Sequence, residues 1–335
     1  MNSISSKISF FDLDQEKTMQ LKGLAIIFVL LGHLGYIFFA GAWGVNLFLI
    51  LSGYGVYLSY SKKGLKDFFT KKIIKIYLPY LIYAIIIVCY YIYTNHFVFS
   101  RKIVLTTLLG LDINANLDKS MWYISFIFLE YILFFIIATF AKKASKIISK
   151  EKFIFFAIII SSILLMKFFD FNLLWHVNSG VTFYVFAFPI GVILAIIKDW
   201  KVNENFREML FIFASIICFV ITICLYNNCN SFFQYFIYSL AVPGLIILVS
   251  QILKTFKSNK ILLFFGKYSF HIYLWEWFLL QVKDTWLAPF KYLIIIDIIY
   301  ILLCVIVSYF YKKAIVDPTT EQIEKFVFKQ KKDYI

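Results

Sequence analysis

The stretch LKGLAIIFVLLGHLG, Leu21 to Gly35, carries an ammonium at its start and an imidazole near its end, and is otherwise apolar or glycine. Eleven residues at about 100° each make roughly three turns plus about 20°, so a helix here places Lys22 and His33 on one stripe. The two stand about 16 Å apart along the axis. That is about half of a bilayer's roughly 30 Å hydrocarbon core. The segment reads as a membrane span with a cation at one edge and an imidazole near the midplane.

The rest of the chain agrees with that reading. Of its 335 residues, 62% are hydrophobic and only 16% are charged, with a mean hydropathy of +0.83. Soluble domains are about 45–50% apolar and about 25% charged, so a soluble domain is excluded. The fold class expected is all-α: a polytopic membrane protein with about ten transmembrane helices. Apolar runs place them near 21–39, 43–60, 76–94, 121–141, 153–169, 181–197, 209–226, 232–253, 261–282 and 292–311. Residues 1–20 form an N-terminal segment, 21–311 the transmembrane domain and 312–335 a tail. The N-terminal segment lacks the basic region, short apolar core and small-residue cleavage site of a signal peptide, so it is expected to be retained.

Charge sets the expected orientation. With the N-terminus inside, the cytoplasmic segments hold 25 of the 33 Lys and Arg residues and the outer loops 4, the other four (Lys22, Lys167, Lys267 and Lys291) lying in or at the edges of spans. This asymmetry is the positive-inside pattern, so both termini are expected in the cytoplasm. The net charge of +14 then reflects topology and contact with membrane lipids, and no nucleic acid partner is expected. Trp43, Trp122, Trp175 and Trp286 fall at outer ends of spans, where an aromatic belt belongs. The five cysteines, Cys89, Cys218, Cys224, Cys229 and Cys304, form no CxxC pair and suggest neither a disulfide framework nor a metal site.

Ionisable groups inside spans are costly and are therefore functional candidates. Lys22 can also snorkel to the interface, and His33 can also serve as a hydrogen-bonded packing residue between helices. Gly32 and Gly35 flank His33 and leave room for a backbone or a ligand. Asn46, Ser52, Gly53, Tyr54 and Gly55 lie in the second span, where small residues also suit close helix packing. Lys71, Lys72 and Lys75 follow at i, i+3 and i+4 spacings, so a helix gathers them on one basic face. That face suits a polyphosphorylated cytosolic ligand, anionic lipid or topology alone. Glu130 lies midway along the fourth span, while Ser269, Tyr273 and Glu276 share a stripe in the ninth. His271 reads as a packing residue, Asp297 has no assigned role, and His96 and His176 read as solvated loop residues. Pro79, Pro189 and Pro243 are candidate kinks, Asp317-Pro318 a turn signal, and the IVLTTLLGL run in the longest outer loop an interfacial segment.

Taken together, these motifs resemble the acyltransferase type 3 family of integral membrane O-acyltransferases. Lys22 and His33 match its Arg/Lys-x10-His signature. GVNLFLILSGY is similar to its Phe-rich SGY segment, and FFTKKIIKIYLPY to its FxxxRxxRIxP stretch, with lysines in place of arginines. MWYI, with Trp122, resembles the opening of its fourth span. GKYSFHIYLWE resembles its late GxxSxxIYLxH motif, with Glu276 where that motif has histidine. Where some members place Glu five residues after the Trp, this chain has Ile127, and Glu130 follows three residues on.

The resemblance implies transfer of an acyl group, most simply acetyl, from cytosolic acyl-CoA to a hydroxyl of a cell-envelope glycan or its lipid-linked precursor. No cofactor is expected; acetyl-CoA or another acyl-CoA is the donor substrate. Lys22 and the Lys71, Lys72 and Lys75 face would hold the donor. His33 would act as general base or as an acyl-carrying nucleophile, with Asn46, Ser52 and Tyr54 as candidate oxyanion donors. Trp122, Glu130, Ser269, Tyr273 and Glu276 would line the substrate site. The expected location is a bacterial plasma membrane, alongside other envelope-biosynthesis proteins. No SGNH-type domain is expected beyond the tail, so the acceptor would meet the membrane domain or a separate protein. A glycan flippase or exporter, and a non-catalytic partner in an envelope complex, are the competing expectations.

Overall fold

A computed structural model of the chain describes residues 7–37, 39–94, 100–112, 115–170, 179–226, 232–252, 258–286, 289 and 294–332. His96, Trp175, His176 and Cys229 lie outside them. The elements run β1 (Lys7–Ser9), α1 (Gln15–His33), α2 (Ala40–Lys63), α3 (Phe68–Lys72), a π turn (Ile73–Tyr77), α4 (Leu78–Thr94), α5 (Arg101–Leu108) and α6 (Trp122–Ala144). They continue with α7 (Lys150–Asp170), a 3-10 turn (Ser179–Tyr184), α8 (Ala187–Ile197), β2 (Lys201–Asn203), α9 (Glu204–Leu225) and α10 (Phe232–Ile252). The last are α11 (Lys260–Trp286), α12 (Ile294–Phe310), a second π turn (Tyr311–Val316) and α13 (Asp317–Lys332).

Among the described residues, six helical segments are long and apolar enough to cross a membrane: 40–63, 68–94, 122–144, 204–225, 233–252 and 294–326. The chain is an all-α membrane protein. The other four expected spans also fold as helix, in α1, α7, α11 and the shorter apolar segment Val181–Ile197. Val181–Ile197 is apolar but short, while in α1 Gln15, Glu16, Lys17 and Lys22 interrupt the apolar run.

The chain divides into two compact units, Met1–Gly64 with Leu133–Lys267, and Leu65–Ile132 with Tyr268–Ile335. In the first, α2 packs against both α1 and α8 through glycines. A Cβ on Gly32 would collide with the backbone of Gly41, and one on Gly44 with Ala25 O. On the other side of α2, a Cβ on Gly53 would collide with Phe188 O, and one on Gly191 with Ile50 O. The glycine of the SGY segment is thus explained by a backbone crossing. Residues 7–9 pair antiparallel with 201–203, Ile8 opposite Val202, a small sheet that the local sequence does not announce.

In the second unit, Pro79 follows a π turn closed by Leu78 N–H donating to Ile73 O, so the expected kink is a change of helical register. Asp317-Pro318, read from sequence as a turn, instead continues the helix. The π turn before it shifts the register, with Asp317 N–H donating to Lys312 O. The hydroxyls of Thr319 and Thr320 donate to Ile315 O and Val316 O, at 2.6 and 2.9 Å. These bonds occupy carbonyls near the residue that has no N–H to offer. α12 is apolar outside and polar inside: Ile295, Ile298, Leu302 and Ile306 are exposed, while Asp297, Tyr300, Cys304 and Ser308 are buried.

Candidate functional site

In the first unit, α1 is unbroken from Gln15 to His33, so Lys22 and His33 do share a stripe. Asp14 caps its start, accepting from Lys17 N–H at 2.7 Å. The first span was expected to reach residue 39, with His33 deep within it; instead His33 is the last residue of the helix. Gly35 (φ 77°) turns the chain, and Phe39 (φ 69°) is held in the left-handed region that bulky residues avoid. Phe39 stacks on Tyr235 at 5.3 Å and packs against Tyr238 and Phe183, which holds that backbone in place.

His33 is half-buried. A Cβ on Gly41, in the first turn of α2, would lie 3.9 Å from both Nε2 and Cδ2 of the imidazole. The Nε2–Cδ2 edge therefore faces a glycine. Asn46 is about 7 Å farther along α2 from Gly41, Ser52 about 16 Å and Tyr54 about 20 Å. Asn46 is fully buried and donates from Nδ2 to Ser239 O at 2.9 Å. Tyr54 instead accepts from Leu13 N–H at 3.2 Å, ahead of α1. Along α2, Asn46 is at the height closest to Gly41 but about 140° around the helix from it, and Ser52 and Tyr54 lie toward the Lys22 end. Lys22 is half-buried and forms no ion pair among the described residues.

The remaining candidates lie in the second unit. Lys75 is exposed, Lys71 and Lys72 half-buried. The π turn over 73–77 widens the spacing from the ideal helix assumed for the basic face. Lys72 Nζ lies over the Tyr131 ring, 4.2 Å from its centroid. Glu130 is buried, and its Oε1 has no hydrogen-bond partner among the described residues. Trp122 is half-buried against the Phe126 ring. Ser269 is buried beside Tyr273, whose hydroxyl donates to Ser120 O at 2.9 Å. Glu276 is fully buried and receives the Tyr300 hydroxyl at 3.3 Å. His271 is buried against Tyr311, as its packing reading expects. Asp297, which had no assigned role, pairs with Lys283 at 2.6 Å. Lys283 was placed in a loop from the sequence, but α11 continues through it to Trp286.

A cluster that the sequence reading missed surrounds Asp118. This buried carboxylate accepts from Ser120 N–H at 2.7 Å and Ser120 Oγ at 2.6 Å, and from the Tyr83 hydroxyl. Tyr77, the last residue of the π turn, forms a row with Tyr80 and Tyr83 of α4 at i, i+3 and i+6. The first two donate to Leu108 O at 2.9 Å and Thr107 O at 2.5 Å. The row therefore holds the end of α5 and, through Tyr83, Asp118 ahead of α6. Its spacing was the available signal, but a tyrosine row reads equally well as apolar packing.

Burial pushes the Asp118 carboxyl up to about 6, against the pull of the Ser120 and Tyr83 hydrogen bonds. A carboxyl whose pKa rises on folding binds its proton more tightly in the folded chain. Its contribution to stability is complete below the unfolded value of 3.8 and is lost as pH rises through about 6. The difference corresponds to roughly 3 kcal/mol. Asp118→Asn should therefore flatten the fall in melting temperature between pH 4 and 7. Thermal unfolding in detergent checks this, and an unchanged pH profile would contradict the burial argument.

A family model described as an acyltransferase domain matches residues 19–313. No curated protein and no solved structure matches the chain.

Proposed function

The chain belongs to the acyltransferase type 3 family, whose model spans it from the first turns of α1 to beyond α12, and on that footing we propose a membrane O-acyltransferase that takes acetyl from cytosolic acetyl-CoA. The acceptor is a hydroxyl of a cell-envelope glycan or its lipid-linked precursor, and both termini face the cytosol. The observation that carries this reading is the pair Lys22 and His33 on one unbroken helix, with a glycine facing the imidazole.

In this account His33 takes the proton of the acceptor hydroxyl as its oxygen attacks the thioester carbonyl. The tetrahedral intermediate collapses, the thiolate leaves, and the proton passes to it. Alternatively, an imidazole nitrogen attacks the thioester, and CoA leaves as the thiolate and takes the ring N–H proton. The acceptor hydroxyl then takes the acyl group and returns its proton to the imidazole. Asn46, Ser52 and Tyr54 remain the proposed oxyanion donors, with one Asn46 amide hydrogen already given to Ser239 O. Lys22 meets the polyanionic donor, with Lys71, Lys72 and Lys75 adding charge toward its phosphates. Trp122, Glu130, Ser269, Tyr273 and Glu276 are proposed for the acceptor. The setting is a bacterial plasma membrane.

Neutralising Lys71, Lys72 and Lys75 together should raise the KM for acetyl-CoA and leave kcat nearly unchanged, because such contacts bind substrate and transition state alike. Steady-state kinetics on the folded triple variant tests this. An unchanged KM would leave the lysines to topology or lipid.

A second reading, a glycan flippase or exporter, draws on the buried polar face that α12 presents with Lys283 and Glu276. Intramembrane ion pairs also suit transport. Consumption of acetyl-CoA separates the two.

A further inference from the structure

Residues 7–14, just ahead of α1, are bound along their length by other parts of the first unit. Lys7–Ser9 pair with Lys201–Asn203. Phe10 N–H donates to Trp200 O at 2.9 Å, and Phe11 N–H to Lys198 O at 3.3 Å. Asp12 N–H donates to Gln251 Oε1 at 2.9 Å, while Gln251 Nε2 returns a bond to Asp12 O at 2.8 Å. Leu13 N–H donates to the Tyr54 hydroxyl at 3.2 Å. The side chains follow suit: Phe11 and Leu13 are buried, Phe11 meets the Tyr54 ring edge-on at 5.7 Å, and Asp12 pairs with Lys198 at 3.2 Å.

Every backbone N–H from Phe10 to Leu13 thus has a partner, and the anchors come from α2, α10 and the turn just after α8. A segment that merely led into a helix would leave such groups to water. The bound segment passes directly into α1 through the Asp14 cap, and Lys22 stands about 12 Å farther along the axis. Two crossings keep the start of α1 tight against α11: a Cβ on Gly23 would collide with Leu262 O, and one on Gly266 with Met19 O. Those crossings resist separation, while the bound segment fixes how far α1 slides and turns.

We infer that residues 7–14 are a strap that sets α1 in register, with Tyr54 and Gln251 as positioning residues for donor binding at Lys22. The inference rests on the reading of Lys22 as a donor contact. It also gives the tyrosine of the SGY segment a task other than oxyanion stabilisation, consistent with its place about 20 Å along α2 from Gly41.

The test uses the full chain in detergent, with acetyl-CoA as the probe. Tyr54→Phe removes the acceptor of Leu13 N–H and keeps the ring; Gln251→Leu removes both bonds to Asp12. Each should speed tryptic cleavage after Lys7 and raise the calorimetric Kd for acetyl-CoA about tenfold, with only a small fall in melting temperature. A strap with a purely structural role would change cleavage and melting but leave the Kd of the folded fraction unchanged. Released straps with wild-type Kd therefore overturn the inference, as do straps that stay protected in both variants. Lys22→Met, measured alongside, separates the two ideas. If it raises Kd and the strap variants do not, the donor reading stands and the strap falls. If it leaves Kd unchanged, both fall.

Discussion

His33→Ala is expected to lose acyl transfer by at least about 10²–10⁴, the usual value of general-base assistance, and by more if the imidazole carries the acyl group. The variant should still insert and fold. His33 is the final residue of α1, half-buried, with its Nε2 edge toward Gly41. Truncation there removes an imidazole from a helix end, not a filled core position, so its cost in stability should be small. A packing histidine predicts the reverse: a lower melting temperature and nearly normal activity per folded molecule. Lys22→Met differs from both, because it should weaken the donor and spare the maximal rate. Transfer close to wild type by folded His33→Ala protein would end the assignment of His33 as the acting group.

Gly53→Val should be among the most damaging single changes to the fold. Gly53 and Gly191 face each other's helices, and a Cβ on either would occupy the place of a backbone carbonyl, Phe188 O or Ile50 O. A backbone carbonyl has no rotamer by which to yield, so α2 and α8 must move apart. Overpacking commonly costs about 1–3 kcal/mol, and a helix pair forced to separate belongs at the top of that range or beyond. The same helix also carries Asn46, bonded to Ser239 O, so its displacement would disturb the packing beside α10 as well. Thermal unfolding in detergent gives the measurement, with half-buried Ser52→Ala as a near-neutral neighbour. Unchanged melting of Gly53→Val would mean that the helices are not in backbone contact there.

Much of this is legible in the sequence. The long apolar runs became α2, α4, α6, α9, α10 and α12 because lipid asks little of such a segment beyond length and internal hydrogen bonds. The Lys22–His33 stripe followed from helical geometry alone. The end of α1 was harder, since the residues after His33 remain apolar while Gly35 and Phe39 turn the chain with positive φ. Other features depend on partners far away in sequence. Asp12 meets Gln251 across 239 residues, and Tyr273 meets Ser120 across 153. No local pattern encodes either pairing. Asp118 looks like an ordinary loop carboxylate until Tyr83 and burial surround it. The basic face drawn from i, i+3 and i+4 spacing met a π turn at Ile73–Tyr77, where the α-helical period no longer applies.

The central claim is that this membrane protein moves an acyl group and not merely a glycan. Its most direct test is the purified chain in liposomes, given acetyl-labelled acetyl-CoA on the side of the termini and lipid-linked envelope glycans as acceptors. The account predicts free CoA thiol appearing in step with label on saccharide hydroxyls, and neither product with His33→Ala. Glycan crossing the bilayer while acetyl-CoA stays intact would contradict it.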